Sequence, residues 1–143
     1  MKSDIMSIFI DTGYFVSVVN KDDENHQRSK DLSKDILSGE YGIRYTSDYI
    51  LDEAISLTWR QTKRKDLVTQ VFQMFSGKEA IVNVLLILEK HIEPIWEKFL
   101  RYSTIQKPLS FTDCSTLILI EEKKIDHLQS FDEEFDGLVS KVS

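Results

Sequence analysis

The stretch Ser7-Ile8-Phe9-Ile10 shows no alternation of polar and apolar residues and is cut off at once by Asp11-Thr12-Gly13. A strand with one wet face alternates, whereas one with two buried faces does not, so SIFI reads as a strand covered by helices on both sides. A polar, helix-opening turn directly behind it is how an α/β unit begins.

The rest of the chain repeats that grammar. Tyr14 to Val19 gives a short apolar helix, and NKDDEN (20–25) reads as a charged, solvated loop. From His26 to Leu37 the spacing of Leu32, Ile36 and Leu37 predicts an amphipathic helix closed by Ser38-Gly39. GIRYT (42–46) is the second strand, and Ser47 caps a helix over about 48–61 with Ile50, Leu51, Ala54 and Ile55 on one face. Residues 66–75 carry another helical stripe, Leu67, Val68, Val71, Phe72 and Phe75. The β-rich run within Ala80–Leu88 is the third strand. Ile92, Ile95, Trp96, Phe99 and Leu100 then fall at helical spacing, in a helix that must start close to Pro94 because proline breaks helix interiors. Ser110-Phe111-Thr112-Asp113 opens the next helix, to about Lys124; His127 to Phe131 is a fourth strand, and 137–142 an edge strand. Helices alternating with buried strands imply one α/β domain, 1–143, around a parallel sheet.

A chain of 143 residues with 41% hydrophobic and 29% charged residues can bury a sizeable core without staples. Its one cysteine, Cys114, excludes an internal disulfide and a cysteine-rich zinc site. The opening MKSDIMSIFID lacks a cleavable apolar stretch, and the most apolar run is too short to span a bilayer, so no membrane association and a cytoplasmic location are expected. The formal charge of −6 argues against a passive nucleic-acid binder. It does not argue against a chain whose acids share a pocket with a divalent ion.

Several acids stand where such a pocket forms. In a parallel sheet, ligands bind beyond the carboxyl ends of the strands. Asp11 follows the first strand directly and Asp132 the fourth, while Asp113 stands in the first turn of a helix, where the dipole favours negative charge. Glu53 lies on a helix, one turn from Ile50 and one from Leu57, beside a buried stripe where a carboxylate is costly unless paired or bound to a cation. Four converging carboxylates repel one another, and Mg²⁺ or Mn²⁺, which prefer oxygen ligands, relieves that repulsion. Glu133, Glu134 and Asp136 compete with Asp132 for the fourth place, and Asp48 and Asp52 with Glu53.

The segments IFIDTG (8–13), YTSDYILDEAISL (45–57) and LSFTDCSTLILIEEKKIDHLQSFDEEFD (109–136) resemble the motif blocks of PIN domains, most closely those of VapC-type toxins and related prokaryotic proteins. The 19 residues from Asp113 to Asp132 and the ending Phe131-Asp132-Glu133-Glu134-Phe135 fit that pattern, and His26 falls where a histidine is common. The resemblance implies a three-layer sandwich with about five parallel strands and metal-dependent endoribonuclease activity on an RNA substrate. It also implies an antitoxin partner over the site and, commonly, a homodimer. By position it makes Asp11, Glu53, Asp113 and Asp132 the catalytic and metal-binding acids, with Thr12 and Thr112 as neighbouring hydroxyls.

Other residues read more plainly. His26, His91 and His127 have no ligand spacing, Cys114 suits a small buried residue, and Trp59 and Trp96 suit the core or an interface. Lys63-Arg64-Lys65 reads as a solvated loop, its alternative being a contact with substrate phosphates. A non-catalytic PIN-fold scaffold is the competing class, and its mark would be loss of acids. A phosphotransfer receiver or haloacid-type phosphatase needs an early acidic pair or Asp-x-Asp, and Asp11-Thr12-Gly13 offers neither.

Overall fold

The computed structural model describes residues 5–143, so the first four residues of the leader-free reading lie outside it. Five strands form one parallel sheet in the order β3-β2-β1-β4-β5. β1 (Ser7–Ile10) is central, and Ile8, Phe9 and Ile10 are fully buried, as a non-alternating strand requires. On one side it pairs with β2 (Ile43–Ser47), Ile8 opposite Arg44, and on the other with β4 (His127–Gln129), Phe9 opposite Leu128.

The connections follow from parallel pairing, which demands a crossover after each strand. α1 (Thr12–Val19) and α2 (His26–Leu37) lead to β2; α3 (Asp48–Thr62) and α4 (Lys65–Phe75) lead outward to β3 (Asn83–Leu85). The chain then turns back through α5 (Glu89–Tyr102) and α6 (Phe111–Lys123) to β4 and, after a 3-10 turn at Glu133–Phe135, to β5 (Lys141–Val142). Right-handed crossovers place helices before and after this reversal on opposite faces. α1, α3 and α4 pack on one another and α5 packs along α6, giving three layers. The reversal makes the carboxyl ends of β1 and β4 the switch point of the sheet.

Local chemistry fixes the elements. Ser47 Oγ accepts from the Ile50 N–H at 3.2 Å and caps α3 as expected. Ser110 and Asp113 form a reciprocal capping box on α6, each side chain accepting the other's backbone N–H at 2.9 Å. Thr46 donates its buried hydroxyl to the Ile10 carbonyl at 2.9 Å, tying β2 to β1 where the strands end.

Some boundaries differ from those expected. α1 starts two residues early because Asp11 itself is the cap. β3 keeps only Asn83–Leu85 of the predicted 80–88 run; it is an edge strand, and Leu86 and Leu88 leave it half-exposed. β4 stops at Gln129; the Ser130 N–H still donates to the Val142 carbonyl while its hydroxyl reaches Asp11. α5 begins at Glu89, so Pro94 sits in its second turn; the Lys90 carbonyl, which loses its helical donor there, belongs to an exposed residue. Trp59 and Trp96 are 41% and 49% exposed, which removes them from the core. No described helix is long and apolar enough to cross a membrane.

Gly42 precedes β2 with φ +78°, and a Cβ there would lie 1.9 Å from the Met6 carbonyl oxygen, the acceptor of the Ile43 N–H. Gly42→Ala is therefore expected to cost at least about 2 kcal/mol, measured as a lowered urea midpoint at unchanged m-value; an unchanged midpoint would contradict the close approach.

Candidate active site

Asp11 leaves the carboxyl end of β1 and is only 8% exposed. Its Oδ1 accepts from the Thr12 N–H at 2.8 Å, and its Oδ2 from the Ser130 hydroxyl at 2.7 Å. Ser130 follows β4 directly, so one short hydrogen bond joins the ends of the two central strands. Burial pushes the Asp11 carboxyl up to about 7 despite both donors, and the charges of Asp113 and Glu53 push in the same direction. Asp113 occupies the first turn of α6 with Oδ2 on the Ser110 N–H. It too is raised, by burial first and then by Glu53 and Glu134, against the lowering effect of Ser110.

Glu53 projects from the second turn of α3 and has no hydrogen-bond or ion-pair partner among the described residues. Asp132 caps the 3-10 turn, accepting from the Glu134 N–H at 3.3 Å, while its own N–H donates to Ser130 Oγ at 3.0 Å. The four expected acids line one cleft of about 250 Å³ with Thr12, Gly13, Val16, Leu57, Ser130 and Phe131. The competitors do not line this cleft, although the charge of Glu134 reaches Asp113. Asp48 accepts from the Tyr49 and Ile87 N–H groups, Asp136 pairs with Lys141 at 2.6 Å, and Asp52, Glu133 and Glu134 do not line the cleft.

Three contributors escaped the sequence. Ser130 looks like any serine at a strand end, and only the Phe-Asp that follows marks its place. Asp23 and Asn25 also line the cleft, from the loop expected to be merely solvated. That loop is folded by its own side chains: Asn20 Oδ1 accepts from the Asp22 N–H and Asp23 Oδ1 from the Asn25 N–H. Arg28 lies 4.8 Å from the centre of the Phe131 ring, packing α2 onto the cleft wall. Thr112 lines the adjoining groove instead of the cleft.

The histidines have structural partners: His26 Nδ1 meets the Ser17 carbonyl oxygen, His91 accepts from Leu88 N–H and meets Glu122, and His127 meets Ser140. Cys114 is fully buried with its thiol pushed up to about 11 by burial, which suits packing and not nucleophilic attack.

The donor set fits a hard divalent cation. Every polar side chain on the cleft is an oxygen donor apart from Asn25, whose amide also offers a carbonyl oxygen. The buried Thr12 hydroxyl has no hydrogen-bond partner among the described residues. Among the described residues, no three carboxylates or histidines stand already drawn around a common ion position. Asp11 and Asp113 accept from backbone and hydroxyl donors. Mg²⁺ binds through one or two carboxylates and keeps several waters, so an open cleft of this kind suits it better than a closed cage.

The sequence matches the PIN domain family over residues 8–139. It is 26% identical over 130 residues to a VapC ribonuclease of Archaeoglobus fulgidus, covering 91% of this chain and 80% of that one. It is 25% identical over 130 residues to the 23S rRNA-specific endonuclease VapC20 of Mycobacterium tuberculosis, covering 91% and 92%. The fold superposes on the crystal structure of M. tuberculosis VapC20, a sarcin-ricin loop cleaving toxin, with a TM-score of 0.76 at 24% identity over 92% of this chain and 94% of that one. VapBC2 from Rickettsia felis, bound to a promoter DNA fragment, gives a TM-score of 0.65 at 12% identity, covering 96% and 98%.

The raised Asp11 carboxyl has a consequence for stability. With the fold holding this group near 7 and the unfolded chain near 3.8, the native state binds the extra proton between those values, so Asp11 takes stability away as pH rises from about 4 to 7. In EDTA, Asp11→Asn is expected to gain on the parent across that window, by no more than about 4 kcal/mol in total. Urea midpoints against pH measure it; parallel curves for the two proteins would contradict the burial.

Proposed function

The chain belongs to the PIN domain family, and from that membership and the cleft at its switch point we propose that it is a divalent-metal-dependent endoribonuclease. The observation that carries the proposal is the convergence of Asp11, Glu53, Asp113 and Asp132, from four separate elements, on one oxygen-lined cleft. Capping α1 does not by itself call for a buried carboxylate, since an uncharged Asn or Ser caps a helix as well without the cost of burying a charge.

Mg²⁺ or Mn²⁺ bound between these acids supplies positive charge to the phosphate oxygens and a more acidic water for attack on phosphorus. The chain's own groups do the rest. Ser130 and the Thr12 N–H fix the Asp11 carboxylate, and the Ser110 box fixes Asp113, so both reach the cleft with little freedom left to lose. Thr12 offers its unpartnered hydroxyl to a water or a carboxylate. Glu53 from α3 and Asp132 from the turn after β4 line the same cleft. No side-chain nucleophile is required, and the buried Cys114 supplies none.

The same proposal extends to partners and setting. The curated relatives are a VapC ribonuclease and a 23S rRNA-specific endonuclease, which supports RNA as the substrate, and the proposal includes an antitoxin that restrains the chain as a toxin. Between α3 and α4 lies a largely apolar groove lined by Leu51, Ile55, Val68 and Phe72 together with Asp48 and Asp52. That chemistry suits an amphipathic segment with basic flanks, as an antitoxin would present. On α5, Ile92, Trp96 and Leu100 are 42%, 49% and 63% exposed at four-residue spacing, a stripe suited to a second copy of the chain. A single domain over 1–143 in the cytoplasm completes the proposal, supported by the lone buried cysteine.

Purified protein is expected to cleave ribosomal RNA or single-stranded oligoribonucleotides with Mg²⁺ or Mn²⁺, to stop in EDTA, and to lose at least about a hundred-fold in rate on Asp11→Asn. A folded, Mn²⁺-binding parent that cleaves no RNA would sink the ribonuclease reading. In sedimentation, the parent is expected to be a dimer and Trp96→Glu a monomer; a monomeric parent would remove the α5 interface.

A further inference from the structure

Building on the ribonuclease reading, we infer that the groove next to the acid cleft is a subsite for the nucleotide flanking the scissile phosphate, with Arg60 as its phosphate contact and Tyr49 as its base platform. Tyr49, Asp52, Glu53, Ser56 and Arg60 follow one another at helical spacing down a single face of α3, and Thr112 from the first turn of α6 closes the other wall. The groove holds about 380 Å³. Glu53 lines both this groove and the acid cleft, so the two adjoin at that side chain. A strand whose phosphate sits over the acids must run on into a neighbouring depression, and this one begins at a shared residue.

Arg60 sets this groove apart. The chain has five arginines, and four are engaged. Arg28 donates to Asn25 and lies over Phe131, Arg44 donates to the Ile36 and Ile81 carbonyls, Arg64 grips Asp66 with two nitrogens, and Arg101 lies over Tyr102. Arg60 alone has no hydrogen-bond, ion-pair or ring partner among the described residues. In the last turn of α3 a cation complements the helix dipole, which accounts for a positive charge there. The dipole does not account for the rest of the stripe. Tyr49 is half-buried with its ring 6.5 Å from that of Phe111, which braces it, and its hydroxyl has no partner among the described residues. The Ser56 and Thr112 hydroxyls are equally unengaged there. An unpaired guanidinium, a braced aromatic face and two free hydroxyls are what a single-stranded ribonucleotide engages: a phosphate, a base and a 2′-OH.

The basic run Lys63-Arg64-Lys65 is thereby relieved of the phosphate role considered for it. Arg64 is committed to Asp66, Lys65 lies over the Trp59 ring, and none of the three lines either the cleft or this groove.

The test uses the full chain loaded with Mn²⁺ and a fluorescein-labelled single-stranded oligoribonucleotide. Arg60→Ala is expected to weaken binding roughly ten-fold and to flatten the slope of log affinity against log salt by about 0.7. In cleavage the loss appears in KM, with kcat within about two-fold of the parent. Arg60→Lys recovers part of the affinity. Tyr49→Ala weakens binding roughly ten-fold and Tyr49→Phe does not, as stacking without a hydrogen bond requires. Mn²⁺ binding followed by electron paramagnetic resonance is unchanged in every variant, which separates lost RNA contact from a lost site. A parent that binds and cleaves RNA while Arg60→Ala matches it in affinity, KM and salt slope would overturn the subsite and leave the ribonuclease standing. A parent that neither binds nor cleaves RNA would overturn both.

Discussion

Asp11 ends the most buried strand of the sheet, and the cost of keeping its charge there organises the surrounding structure. Two donors are brought to it, the Thr12 N–H opening α1 and the Ser130 hydroxyl leaving β4. They are not enough, since burial still lifts its carboxyl to about 7, in the presence of Glu53 and Asp113. A group so placed is either protonated or compensated by a cation. Parallel pairing on both sides of β1 brings β4 beside it, and the reversal of strand order opens the cleft there. The fold and the electrostatic problem thus share one origin.

Much of this was legible in the sequence. An apolar run without alternation, halted by Asp-Thr-Gly, sufficed to place Asp11 at the end of a buried strand. Ser47 and Ser110 announced their helices by cap chemistry, and the spacing from Asp113 to Asp132 leaves room only for a helix, a turn and a short strand. What stayed hidden depends on contacts across long sequence separations. Ser130 matters because β4 lies beside β1, 119 residues away in the chain. Asp23 and Asn25 matter because Asx turns fold their loop back to the cleft, and no periodicity reports that. The overlong third strand has a similar cause: apolar residues continue past the point where its pairing with β2 ends. Their helical stripes put Trp59 and Trp96 in the core or at an interface, and their exposure of 41% and 49% leaves only the second.

The net charge of −6 also takes on a different meaning. Asp11, Asp23, Glu53, Asp113 and Asp132 share one cleft, and four of the five arginines are engaged within the chain. Under the proposed function, RNA affinity would depend on a bound divalent ion and on a few contacts such as Arg60, and not on a broad basic surface.

The central claim is that these acids hold one divalent cation. Anomalous scattering from crystals soaked in Mn²⁺ tests it most directly. A peak in the cleft at about 2.1 Å from Asp11 or Asp113 oxygens, with waters completing the shell, is the predicted result. Ordered crystals with no peak there, or with Mn²⁺ held only at acids outside the cleft, would contradict the account.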